Sequence, residues 1–270
     1  MPFLQCLSHN WYLSVDMQLY LMSPLFMVAL LRRRRLGYIL MALCICGSSF
    51  YNFAITVMYD LVDSELSFPY YVDNIELYLE RFMHYHESIY LKPHTRMSSY
   101  FVGLTLGHYL WKRGISKEKS NSKITLFFGW IITAALLWIC LYVFYFGEPT
   151  LLRRALYNGT SDFLFSCVVA WIIFVCVTGQ GGFVNNLLSF GCFMPLSRLS
   201  YCAYLIHYPL ILRYFLTSLE EGLAKWTFNL MSYIFLHVTF WTYLLAFLTS
   251  LLIEVPVSRL FQCFSNKTVK

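Results

Sequence analysis

Four long stretches of this chain carry no Asp, Glu, Lys or Arg: Gly37–Tyr59, Ile124–Phe146, Phe163–Thr178 with an uncharged continuation, and Trp226–Ile253. A bilayer crossing takes about 20 consecutive apolar residues. No water reaches the backbone there, so each segment must satisfy its own polar groups, as a helix does. Charged residues make up 13% of the chain and hydrophobic ones 59%, with mean hydropathy +0.57. A soluble domain carries about 25% charged residues, so too few are present to cover a water-facing surface. Disorder, a coiled coil and an ordinary cytosolic enzyme are all disfavoured, and the 24 Phe, 7 Trp and 21 Tyr suit lipid and its interface.

Three weaker runs, about Trp11–Leu31, Met97–Trp111 and Leu199–Leu219, are interrupted by polar groups. Counting them predicts an all-α, polytopic transmembrane helix bundle of about seven spans. The uncharged stretch 179–196, rich in Gly and Asn, reads as a short loop or re-entrant segment. With the first span running outside to inside, the inner loops and tail hold Arg32–Arg35, Lys112, Arg113, Lys117, Lys119, Lys123, Arg198, Arg259, Lys267 and Lys270. That is thirteen of the 20 Lys and Arg, and this asymmetry sets orientation as N-out and C-in. The sequon Asn158-Gly159-Thr160 falls in a loop on the outer side and is an expected glycosylation site. A second, at Asn266, would be cytoplasmic and silent. No cleavable signal is visible, so an outer N-terminus predicts further helices upstream.

Cysteines say little: only Cys6 lies clearly outside, and no C-x-x-C occurs, so neither a disulfide framework nor a zinc or redox motif is expected. The outer loop 60–96 carries His84, His86, Glu87 and His94 among tyrosines. It reads as a wet surface covering a cavity as a lid, with no metal site expected.

The polar residues inside the weak spans are more informative, because ionisable groups in a bilayer usually face a cavity or a partner. Asp16, Tyr20 and Ser23 recur at i, i+4 and i+7 and share a helix face, just before Pro24. Ser200, Tyr204 and His207 repeat that spacing. Either these groups line a functional cavity or they hydrogen-bond between helices and hold the bundle together. For His108 and His237 the structural reading is preferred.

Three segments resemble one family. Asn10-Trp11-Tyr12-Leu13-Ser14-Val15-Asp16-Met17-Gln18-Leu19-Tyr20-Leu21-Met22-Ser23-Pro24 is similar to the W-S-L-x-x-E-x-Q-F-Y-x-x-x-P signature of the acyltransferase-3 family, with Asp16 at the acidic position. The segment 199–209, Leu-Ser-Tyr-Cys-Ala-Tyr-Leu-Ile-His-Tyr-Pro, looks like its late S-Y-x-x-Y-L-x-H motif. Between them, 91–103 resembles the loop-to-helix entry of the animal, nose-resistant-to-fluoxetine branch. The three come in family order and cover the chain from about Asn10 to its end.

The resemblance implies transfer of an acyl group, not amino-acyl, from a cytosolic donor, typically acyl-CoA, to an acceptor across the membrane. His207 would be the base, with Asp16 orienting it or the acceptor and Tyr204 as a further catalytic hydrogen-bond donor. Trp11, Gln18, Tyr20 and Ser200 would contact substrate. Arg32, Arg33, Arg34 and Arg35 could grip the donor's phosphates, or serve only as a topology signal with lipid-headgroup contact. No bound cofactor and no nucleic-acid partner are expected. The membrane could be plasma membrane or endoplasmic reticulum.

The family's supported catalytic histidine and an arginine lie in helices ahead of the first motif. The whole chain, 1–270, is therefore expected to be the later part of the domain, with upstream helices missing. The alternative is a lipid or small-molecule transport protein, which also needs a polar mid-membrane cavity. A G-protein-coupled receptor is disfavoured, since Trp111-Lys112-Arg113 ends the third span and the seventh lacks N-P-x-x-Y.

Overall fold

The computed structural model describes residues 10–62, 74–114, 122–144, 150–220 and 228–260. Lys117, Lys119, the Asn266 sequon and Cys6 lie outside the described residues. Among the described residues there is helix and no strand. The chain divides into two compact units, 1–186 and 187–270.

In the first unit, α1 (Trp11–Arg32) and α2 (Arg34–Tyr59) are joined through a single residue, Arg33, with φ −139° and ψ 84°. So tight a reversal needs Gly37: a Cβ there would come within 2.8 Å of the Leu30 Cα and side chain. Pro24 removes one donor from the α1 ladder, and the Ser23 hydroxyl fills the gap by donating to the freed Tyr20 carbonyl at 2.8 Å. Next come α3 (Ile75–Tyr85), a π turn (His86–Tyr90) and a 3-10 turn (Pro93–Thr95) leading into α4 (Met97–Arg113). Then follow α5 (Lys123–Tyr142) and α6 (Leu151–Val177), capped by the Thr150 hydroxyl. Helix α2 packs along α6, α1 and α4, and α5 packs on α6. Phe26, Leu30, Met41 and Phe101 form one buried cluster, and Leu61, Val62, Tyr78, Tyr85 and Ile89 another.

The second unit packs α8 (Phe193–Glu220) on α9 (Phe228–Thr249), around Cys202, Ala203 and Ala246. A π turn (Ser250–Glu254) continues α9. The stretch predicted as a loop or re-entrant segment holds a short helix, α7 (Gly182–Leu188).

Among the described residues, five helical segments are long and apolar enough to cross a membrane: α1, α2, α5, α6 and 229–260. Helix α4 has 17 residues, and α8 is interrupted by Arg198, His207 and Arg213. Large apolar side chains point outward, Leu21 73%, Phe50 72% and Leu252 75% exposed. Water would not tolerate that pattern, and lipid requires it.

Two expectations are corrected. Asn158 is not in a loop but inside α6, and only 6% exposed. Its amide donates to Thr56 Oγ1 at 3.1 Å and the Val62 carbonyl at 3.0 Å, leaving no room for a glycan. The described part of the outer loop is no loose lid. Arg81 pairs with Asp60, and the Thr95 hydroxyl donates to the Ile89 and Lys92 carbonyls while Ser48 donates to the Thr95 carbonyl.

Candidate active site

Helix α8 carries His207 on the face that α9 covers. The imidazole Nδ1 lies 2.6 Å from the Tyr204 carbonyl of its own helix, and the Tyr204 ring centroid is 5.6 Å away. A carbonyl can only accept, so Nδ1 is the donor in this contact. His207 and Tyr204 line a cavity of about 650 Å³ with Thr239, Thr242 and Tyr243 of α9. Apolar side chains such as Ile211 and Val238 complete the wall.

Thr242 stands out in that cavity. It is 5% exposed, and among the described residues its hydroxyl has no hydrogen-bond partner. An unpaired buried hydroxyl costs about 1–3 kcal/mol, so the position is held against stability. Sequence reasoning missed it because one hydroxyl disappears in a long apolar run; the available signal was Thr239, Thr242 and Tyr243 sharing a helix face at i, i+3 and i+4. A second missed feature is Glu254. The π turn brings its Oε2 within 3.3 Å of Cys202 Sγ and 2.9 Å of Ser250 Oγ. Such turns inside helices often mark functional positions. Ser200, by contrast, is exposed and donates to the Ser197 carbonyl.

The residues expected on α1 are placed differently. Val15, Leu19, Phe26 and Leu30 form its packed stripe. Asp16 and Tyr20, one position on, are exposed, Tyr20 by 63%. Gln18 donates to Ser14 Oγ at 3.3 Å. Trp11 packs against Tyr90 at 4.4 Å, and the Arg96 guanidinium sits 5.8 Å from the Trp11 ring and 5.2 Å from that of Tyr90. Asp16 belongs to the first unit and His207 to the second.

Arg32 closes α1, while Arg34 and Arg35 open α2; all four arginines are exposed. Cations are favoured at the C-terminus of a helix and disfavoured at the N-terminus, so Arg34 and Arg35 occupy a position better suited to an anion beside them. The loop histidines do not converge. His84 stacks on Tyr59, His86 on Tyr90 at 4.9 Å, and His94 meets Tyr51 edge-on at 4.5 Å. Among the described residues no group of three His, Cys, Asp or Glu could hold a metal.

Residues 1–259 match the family model described as "Acyltransferase domain", the acyltransferase-3 family. The chain is 26% identical to Nose resistant to fluoxetine protein 6 of Caenorhabditis elegans, over 97% of this chain and 32% of that protein. It is also 26% identical to YrhL of Bacillus subtilis (strain 168), over 76% of this chain and 28% of the relative, whose name provisionally assigns it peptidoglycan O-acetyltransferase activity. Regulator of hypoxia-inducible factor 1 of C. elegans is 24% identical over 76% of this chain and 41% of its own length. The chain thus spans well under half the length of the curated relatives it matches. No solved structure matches it. By sequence match and by its helices, the chain belongs to the acyltransferase-3 family of multi-pass membrane proteins.

Proposed function

We propose that this protein is a membrane acyltransferase in which His207 is the general base. The observation that carries the reading is the His207 imidazole, its Nδ1 bound by the Tyr204 carbonyl, in a cavity of about 650 Å³ between apolar helices. Nε2 takes the proton of an acceptor hydroxyl as its oxygen attacks the thioester carbonyl of an acyl-CoA. Hydroxyls of Tyr204 and Tyr243 donate to the oxyanion that forms. Collapse breaks the carbon–sulfur bond, and the imidazolium returns its proton to the departing thiolate.

In this reading seven helices cross the bilayer, α1, α2, α4, α5, α6, α8 and α9, N-out and C-in, in plasma membrane or endoplasmic reticulum. Arg32–Arg35 then lie on the cytosolic side and bind the donor's phosphates, helped by the α2 N-terminus. Asp16, Trp11, Gln18 and Tyr20 face the acceptor. The test is incorporation of labelled acyl groups by membranes containing the protein. His207→Gln should lower it by about 10²–10⁴ with membrane insertion intact. Undiminished transfer would remove His207 from the chemistry, and lipid uptake preserved without any transfer would favour transport.

A further inference from the structure

We infer that Glu254 is a positioning residue of the α8–α9 site: its carboxylate pins Cys202 of α8 and so fixes the packing against which Tyr243 stands; this rests on the acyl-transfer reading above. All the residues involved lie in the second unit.

The backbone is built to deliver this carboxylate. Val238, Thr242 and Ala246 recur at every fourth position and form the buried stripe of α9. A regular helix turns about 100° per residue, so the stripe would continue through Thr249 to Ile253 and leave Glu254 facing away. The π turn Ser250–Glu254 closes its hydrogen bonds from i to i+5 and takes in one residue more than an α turn. That one step brings Glu254 onto the stripe and turns Ile253 outward, 60% exposed. Pro256 follows two positions later and has no amide hydrogen to restore an α ladder there.

The carboxylate reaches two donors. Oε2 accepts from the Cys202 thiol at 3.3 Å and from the Ser250 hydroxyl of its own helix at 2.9 Å. Among the described residues these are its hydrogen-bond partners. An ionised acceptor holds a weak thiol donor better than a neutral one does. Cys202 is 4% exposed and forms the helix contact with Ala203 and Ala246, and Tyr243 packs against that cluster. Ala203 and Tyr243 also line the cavity that holds His207. Glu254 thus bears on Cys202, and Cys202 on the ring whose hydroxyl meets the oxyanion. It acts on the reaction through Tyr243, without touching substrate.

The experiment measures acyl incorporation by the full chain in membranes, with labelled acetyl-CoA and palmitoyl-CoA as donors, and unfolding temperature in detergent. Rates are taken per folded molecule. Glu254→Ala and Cys202→Ala should each lower the maximal rate by on the order of tenfold, with donor KM unchanged, because the donor to the oxyanion is misplaced. The double variant should fall no further than either single one, since both remove the same contact. Glu254→Gln keeps an acceptor oxygen and Cys202→Ser keeps a donor, so both should retain most of the rate. Should Glu254→Ala fail to insert, Cys202→Ala and the two conservative variants carry the same comparison.

An unchanged rate in Glu254→Ala, losses that multiply to roughly a hundredfold in the double variant, or a Glu254→Gln as slow as Glu254→Ala would each overturn the proposal. Transfer that responds to His207→Gln but not to Glu254→Ala would sink the pin and spare the enzyme. Unfolding temperatures that couple Cys202 to Glu254, with no transfer by the parent from either donor, would do the reverse.

Discussion

Arg96, at the entrance to α4, and Asp162, in α6, meet through one guanidinium nitrogen that lies 3.0 and 2.8 Å from the two carboxylate oxygens. Ser99 adds a 3.3 Å hydrogen bond to the Asp162 carbonyl, and Trp11 and Tyr90 lie over the same guanidinium. One arginine thus ties α1, the π turn, α4 and α6 together. Both side chains are about a quarter to a third exposed, so water weakens the pair. Arg96→Ala should cost about 1–2 kcal/mol, read as a lower unfolding temperature in detergent. Arg96→Lys should recover only part, because an ammonium keeps the charge and loses the planar stack.

At the α5–α6 contact, a Cβ on Gly129 would overlap the Trp171 ring. Gly129→Ala should therefore destabilise by about 1–3 kcal/mol, whereas Gly103→Ala, which meets open space, should change the unfolding temperature little. Equal effects at both positions in a thermal-shift comparison would contradict this packing.

Asn158 is a structural amide. Treatment with an N-glycosidase should leave the protein's electrophoretic mobility unchanged, and Asn158→Ala should cost about 1–3 kcal/mol by leaving the buried Thr56 and Val62 groups unmatched. A glycosidase-sensitive shift abolished by Asn158→Gln would be the opposing result.

Thr242 separates stability from activity. Thr242→Val removes an unsatisfied hydroxyl at nearly constant shape, so stability should stay level or rise by about 1 kcal/mol. Acyl transfer should fall if that hydroxyl meets substrate. Unfolding temperature and transfer rate, measured on the same preparation, decide it.

Acid should weaken the segment between α2 and α4. Burial, with a smaller push from Lys92, lowers the His94 imidazole below the ordinary histidine value of about 6.5. Burial lowers His86 also, partly opposed by Glu87. The folded state therefore binds fewer protons than the unfolded one. Their contribution is complete above about pH 6.5 and is lost as pH falls through the lower folded values. Unfolding temperature should drop between pH 7.5 and 5, and less so in a His94→Gln variant.

The helices were legible because a charge-free run has few alternatives to being one. The first turns of α6 were not, since Arg153, Arg154 and Asp162 interrupt the apolar pattern there. Their meaning lies far off in sequence: Arg154 pairs with Asp60, 94 positions away, and Asp162 with Arg96, 66 away. Spacing placed Asp16 and Tyr20 on one face correctly, but periodicity cannot say which face packs, and Val15 and Leu19 do. His207 stands in a motif visible in the sequence. Its wall on α9 was not, because Thr239, Thr242 and Tyr243 sit in a run where every position looks equally apolar. His108 read as structural from sequence; its Tyr38 partner lies 70 positions away.

The segment from Asn74 to Arg96 is riveted to the helices beneath it, through Asp60, Ser48, Trp11 and Asp162. A gate on that side would have to break two ion pairs and a buried threonine lock each time it opened. The easier doorway is sideways, through the seams between helices. In the proposed acyl transfer, substrates then enter from the surrounding bilayer, and membrane composition becomes part of their selection.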